Sequence, residues 1–267
     1  MKKRKLPLQF IGMLLLMSMA SCYSSKELVY LQNDEFNSQY PTLIKNKRPL
    51  YRIQPNDVLN INIQNPDTET SVYFNYGNQE MRGFANPSVF FITGFSVNNE
   101  GDIKIPLIGK VKVENLTIDE ATQLIQREAD RYVRNATVDV KLVSFKISVM
   151  GEVNNPGQYY IYNGQATVLE GLSMAGDLTG FGSRTEIKLI RQHDEGVEVV
   201  LLDLTDAKLM NSSYYFLLPN DVLYVEPTEE QIRRTNLQPL GIVFSGISAL
   251  VLITNFLLNN VNLDNGN

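Results

Sequence analysis

The chain has 267 residues, with 24 basic against 29 acidic side chains, a formal net charge of −5 and 43% hydrophobic residues. An acidic balance excludes a nucleic-acid partner, which needs a basic footprint, while the apolar content is enough for two modest cores. The one cysteine excludes an intramolecular disulfide.

At the N-terminus Lys2, Lys3, Arg4 and Lys5 precede an apolar run from Leu6 to Met17 and then small residues up to Cys22. This is the layout of a secretory signal peptide over residues 1–21, its apolar stretch shorter than the roughly 20 residues of a membrane span. Ser18, Met19, Ala20 and Ser21 ahead of Cys22 resemble the lipobox of bacterial lipoproteins, with Met19 where that pattern prefers Leu. The resemblance implies that Cys22 becomes the lipidated first residue of the mature chain. Loss of the basic head would take the net charge to about −9, so membrane contact must come from lipid or apolar segments. Residues 22–49 are polar, without sustained periodicity, and read as a lipidated tether.

The first folded segment spans residues 50–145. Pro55, Asn56 and Asp57 form a turn, after which Leu59, Ile61 and Ile63 alternate with Asn60, Asn62 and Gln64 as in a half-buried strand. Short extended runs follow at Phe91 to Val97, Ile103 to Leu107 and Lys110 to Val113, together a small sheet. The period changes at Thr117, where Glu120 completes a capping box. Ile118, Ala121, Leu124, Ile125, Ala129 and Tyr132 then mark the core face of a helix. Val138, Val140 and Leu142 alternate again.

The second segment spans residues 146–227. Ile147 and Val149 lead into Asn154, Asn155, Pro156 and Gly157, turn residues between two β-rich runs. A short helix is expected from Thr167 to Ala175, with Glu170 completing a capping box and Gly176 as a left-handed stop. Extended runs at Glu186 to Arg191 and Val197 to Leu202 flank a polar turn, and Val222 to Val225 closes the segment. Just before that last strand the chain repeats itself, since Pro219-Asn220-Asp221-Val222-Leu223 is identical to Pro55-Asn56-Asp57-Val58-Leu59, each with a tyrosine four residues ahead of its proline. A turn feeding a strand in each of two domains explains the identity as a shared structural device.

After a linker at 228–236, residues 237–260 read as a transmembrane helix and 261–267 as a polar tail. Arg233 and Arg234 precede the helix, Asn236 caps it, and Leu240 to Leu258 extends about 28 Å at 1.5 Å per residue without a charge. A buried core helix is the alternative. Gln238, Gly241, Ser245, Ser248, Asn255 and Asn259 fall on one face, interrupted by Leu252. In a ring of helices that face would line a water-filled pore; alternatively Gly241, Ser245 and Ala249 form a seam of small residues between packed helices.

Ile53 to Leu59, Gly101 to Gly109 and Leu116 to Ala121 resemble the N-terminal domain of polysaccharide export proteins. Val149 to Val153, Pro156 to Tyr159 and Ser173 to Gly176 resemble the soluble-ligand-binding β-grasp domain that follows it in that family. The resemblance spans roughly residues 50 to 227; it departs at Asn56 and Asn220, where glycine is usual, and at Asp177, where a second glycine is usual. It implies an α+β fold of a small sheet-plus-helix domain and a β-grasp domain. It also implies a lipid-anchored homo-oligomeric ring in the outer membrane. Such a ring works with an inner-membrane co-polymerase, often a tyrosine autokinase, to pass capsule or exopolysaccharide to the cell surface. The rival reading is a membrane-anchored periplasmic carbohydrate-binding module without a pore.

Catalytic signals are sparse, and no cofactor is expected. His193 is the only histidine and stands in a polar turn, so no metal site of the usual His/Cys spacing is available. Neither a Gly-x-Ser-x-Gly elbow nor a phosphate-binding loop is present. Asp203 and Asp206 could in principle serve glycoside hydrolysis, but solvated acidic residues are common here and the pairing is weak.

Overall fold

The computed structural model describes residues 25–37, 39–64, 93–193, 195–233, 235 and 245–254. Within these the fold is mixed α+β, with strands dominant and few helices.

In the first segment β1 (Val58–Gln64) forms because its apolar residues alternate. Leu59, Ile61 and Ile63 are buried, and Asn60 and Asn62 turn to the other face. It is the centre of a three-stranded antiparallel sheet between β2 (Phe95–Ser96) and β5 (Thr137–Leu142), with Ile61 opposite Val140 and Ile63 opposite Val138. The next two expected runs do not join that sheet. They form a separate hairpin of β3 (Asp102–Ile105) and β4 (Gly109–Lys112), whose Ile103, Ile105 and Val111 close the same core.

Helix α1 (Ile118–Ala129) starts where the capping box lies, both halves of which are formed between Thr117 and Glu120. It buries Ala121, Ile125 and Ala129, four residues apart along one stripe. Ile125, so buried, contributes about 1.5–3 kcal/mol. The expected stripe overreaches at its end, because the helix stops at Ala129 and Tyr132 is 55% exposed. Val133 takes the inward place instead.

The second segment is built on a five-stranded sheet in the order β10-β9-β12-β6-β7. These strands are β6 (Lys146–Gly151), β7 (Gly157–Tyr160), β9 (Gly182–His193), β10 (Gly196–Leu202) and β12 (Val222–Pro227). At its centre β6 and β12, first and last in sequence, pair in parallel, so everything between them is a crossover. A two-stranded pair of β8 (Ala166–Thr167) and β11 (Phe216–Leu217) sits beside α2 (Val168–Met174). Val168 and Leu172 of α2 share one buried core with Ile147, Leu189, Leu223 and Val225 of the sheet. The helix lies close because it carries Gly171, where a Cβ would come within 2.8 Å of both Ile147 and Leu217. Leu142, at the end of β5, touches both cores.

The N-terminal segment is not a free spacer along its whole length. Leu31 and Gln32 donate backbone hydrogen bonds to Leu204 and Thr205 at 2.8 and 2.6 Å, and Ala207 donates back to Gln32 at 3.2 Å. The Tyr30 hydroxyl donates to Asp177 Oδ1 at 2.7 Å, with the Arg184 guanidinium 5.9 Å from its ring centroid. Burial and the Asp177 carboxylate push the phenol far above its ordinary pKa. Asp177 itself has φ 67° and accepts from its neighbour Leu178 N–H at 2.8 Å. The residue standing where the resemblance expects glycine thus takes the left-handed conformation and uses its carboxylate to hold the N-terminal strap.

At the other end, residues 229–233 and 245–254 are helical, and residues 245–254 are exposed throughout. Among the described residues no helix is long and apolar enough to cross a membrane. The rest of the expected 237–260 span lies outside the described residues, as does the expected signal peptide.

Candidate functional site

The two Pro-Asn-Asp segments fold into the same turn. Asp57 N–H donates to the Gln54 carbonyl and Asp221 N–H to the Leu218 carbonyl, each at 3.2 Å, with φ 71° at Asn56 and 67° at Asn220. Proline in the second position and a positive φ in the third are what a type II turn requires. Asparagine tolerates that conformation better than most other L-residues. Each aspartate then closes its turn a second time, Asp57 Oδ2 accepting from Gln54 N–H at 2.9 Å and Asp221 Oδ2 from Leu218 N–H at 2.7 Å.

Residues 143–146 join the two domains and run between these turns. Val143 N–H donates to Val58 at 2.9 Å, Val58 N–H donates to Ser144 Oγ at 3.1 Å, and the Ser144 hydroxyl donates to Asp57 Oδ1 at 3.1 Å. From the other side Asn220 N–H donates to the Lys146 carbonyl at 2.8 Å. The repeated sequence therefore clamps the connecting segment from both domains.

The two aspartates are buried alike but neutralised differently. Asp221 receives Arg191 in a fork, Nε to Oδ1 at 2.9 Å and Nη2 to Oδ2 at 2.7 Å, and Arg191 also donates to the Phe216 carbonyl at 3.2 Å. Asp57 has neutral partners, the Tyr51 hydroxyl at 2.8 Å, Ser144 and the Gln54 N–H. Burial therefore pushes the Asp57 carboxyl above its ordinary pKa, and the three hydrogen bonds only partly offset it. Burial and the neighbouring Asp57 likewise push the Tyr51 phenol upward.

Beside this junction lies a cleft of about 270 Å³ lined by Asn56, Asp57, Ser144, Lys146, Tyr160 and Asn220, among others. A more open space of about 700 Å³ lies under the N-terminal strap, between Gln32 to Glu35, Thr42 to Lys45 and Asp206 to Lys208.

Of the residues expected to line a pore, the structure places Ser245 and Ser248 on the exposed helix at 245–254, three positions apart. Gln238, Gly241, Asn255 and Asn259 lie outside the described residues, as does Cys22. His193 ends β9, exposed, with Nε2 3.0 Å from Glu198. Asp203 and Asp206 serve turns, Asp203 accepting from the Thr205 N–H at 2.8 Å and Asp206 from the Lys208 N–H at 2.8 Å. Among the described residues no group of His, Cys, Asp and Glu is arranged to hold a metal. The sequence reading missed Arg191, Ser144, Lys146 and Tyr160. Arg191 left a signal, since it shares the inward parity of Ile187 and Leu189, and an inward charge demands a counter-ion.

Residues 45–143 match the polysaccharide biosynthesis/export protein family, and residues 145–225 match the SLBB domain. The chain is similar to the EPS I polysaccharide export outer membrane protein EpsA of Ralstonia nicotianae, 31% identical over 169 residues, or 60% of this chain and 43% of that protein. A protein of the same name from Ralstonia solanacearum is 30% identical over 192 residues, 67% of this chain and 48% of its own length. The chain spans about half the length of the curated relatives it matches.

Proposed function

Since the chain belongs to the polysaccharide export family, we propose that it is an outer-membrane component that passes capsule or exopolysaccharide from the periplasm to the cell surface. The observation that carries this reading is the uninterrupted order of the two matched domains, 45–143 and then 145–225, joined by the clamped segment at 143–146. The export relatives named above support the location and the cargo.

In this reading Cys22 carries the lipid and the chain assembles as a ring. An inner-membrane co-polymerase or tyrosine autokinase delivers the polymer to that ring. Self-association is supported by edge strand β10, whose Val197, Val199 and Leu201 are 58%, 55% and 63% exposed on one face. The exposed Ile247, Leu250, Val251, Leu252 and Ile253 on the 245–254 helix support a membrane or helix-packing role for the C-terminal segment. On that helix Ser245 and Ser248, with Gln238, Gly241, Asn255 and Asn259 beyond it, would form the pore-facing side.

Deletion of the gene should abolish surface polysaccharide while polymer accumulates inside, and electron microscopy of the detergent-purified protein should show rings. Unchanged surface polymer in the deletion strain would overturn the export reading. Single particles without rings would leave the binding-module alternative in its place. Cys22→Ala should lose radioactive fatty-acid labelling; undiminished labelling would refute the anchor.

A further inference from the structure

The junction cleft combines groups that the fold itself does not use. Lys146 has no carboxylate within salt-bridge distance among the described residues, and it stands opposite Tyr160 in the β6–β7 pair. The side chains of Asn56, Asn220 and Tyr160 make no hydrogen bond among the described residues, though all line the same space. Asp57, the acidic residue in the wall, is already engaged through both oxygens by Tyr51, Gln54 and Ser144. The cleft therefore offers one unmatched cation, three amides (those of Gln54, Asn56 and Asn220) and a phenol, and no unmatched anion.

That inventory has a definite ligand chemistry. An amide presents two donors and an acceptor and so matches vicinal hydroxyls, an ammonium matches a carboxylate, and a tyrosine ring supplies an apolar face with a polar tip. At about 270 Å³ the space is near the lower end of the roughly 300–1,000 Å³ typical of small-molecule sites, which suits a single sugar ring better than a longer saccharide. We propose that this cleft binds one carboxylated pyranose residue, with Lys146 on the carboxylate and Asn56 and Asn220 on the ring hydroxyls. The proposal rests on the export reading and names the class of sugar that reading leaves open. The chain's net charge of −5 does not oppose it at contact range, because salt screens distant charges beyond about 8–10 Å.

The two Asn turns approach the cleft from different domains, so occupancy of the site ties the domains together through the ligand as well as through the connecting segment. The device that shapes the junction thus also supplies two of its recognition groups.

The test is saturation-transfer NMR on the full-length protein in detergent, with methyl glucuronide and methyl glucoside as probes. Transfer to the glucuronide is expected, with at least fivefold weaker binding in Lys146→Gln and no change for the glucoside in that variant. Asn220→Gly, which keeps the turn, should weaken both probes about threefold. Equal binding of the two probes by the native protein, or unaltered glucuronide binding in Lys146→Gln, would overturn the acidic-sugar assignment. No transfer to either probe would overturn the cleft as a sugar site. Either failure in a protein whose deletion still abolishes surface polysaccharide removes the site alone, since the export reading is judged by the deletion.

Discussion

Replacing Arg191 by Met keeps most of the aliphatic stem and deletes the charge. It removes the bonds to Asp221 Oδ1 at 2.9 Å and Oδ2 at 2.7 Å and to the Phe216 carbonyl at 3.2 Å, leaving Asp221 with the Leu218 N–H alone. Asp221 is 1% exposed, so water cannot take over. Removing one partner of a buried pair costs about 3–5 kcal/mol because the other charge is left uncompensated. Against a domain stability of about 5–15 kcal/mol that is a large fraction. Part of the loss is avoidable by neutralising the survivor, so Arg191→Met combined with Asp221→Asn should recover at least half of it. Urea titration at neutral pH would measure this, followed by tyrosine fluorescence because the chain has 13 tyrosines and no tryptophan. The transition of the second domain should move and that of the first should stay. A loss within about 1 kcal/mol, or a double variant no more stable than the single one, would refute the charge argument.

The first copy of the turn should behave oppositely. Asp57 has no cationic partner among its bonds and a raised folded-state pKa, so the folded domain binds more protons than the unfolded chain between the ordinary carboxyl value and the raised one. Stability should therefore fall as pH rises through that window and level off above it. Asp57→Asn should cost less than about 1 kcal/mol at neutral pH and flatten the slope, and an unchanged slope in urea titrations across pH would count against this account. Asn220→Gly should stay within about 1 kcal/mol and Asn220→Val should cost more, because a β-branched residue opposes φ 67°. Equal melting of the two variants would show that the turn relaxes. Thr117→Ala should lose about 1 kcal/mol from the first domain by uncapping α1, and an unaffected unfolding midpoint would argue that Glu120 holds the end alone.

What the sequence made legible was local. The alternation of Leu59, Ile61 and Ile63 and the Thr-x-x-Glu signals at Thr117 and Thr167 need only a few neighbouring residues, and each appears in the fold where those residues lie. The identity of two five-residue segments likewise exposed a shared turn, though not what it clamps. Contacts between distant residues were not legible. The parallel pairing of β6 with β12 and the short β8–β11 pair depend on partners many residues away, and nothing in the alternation of a strand names its partner. Polarity misled at residues 30–32, where backbone groups and one tyrosine do the docking and the surrounding composition looks like solvent-exposed chain. The cleft was invisible for a related reason: Lys146, Tyr160, Asn56 and Asn220 are unremarkable singly and meet only through the junction.

The docking of residues 30–32 also decides how the molecule carries load. The chain is fastened to the second domain at this strap, and passes Phe216 of the same domain at Arg48, before it reaches Tyr51 and enters the first domain, so a pull on the N-terminus meets the Leu31–Leu204 and Gln32–Thr205 bonds before anything in the first domain. Tension would be taken up by the second domain, with Tyr30 and Asp177 as the fastening. The turns that grip residues 143–146 would lie outside the stressed path, so the domain junction could keep its shape while the N-terminal end is under strain.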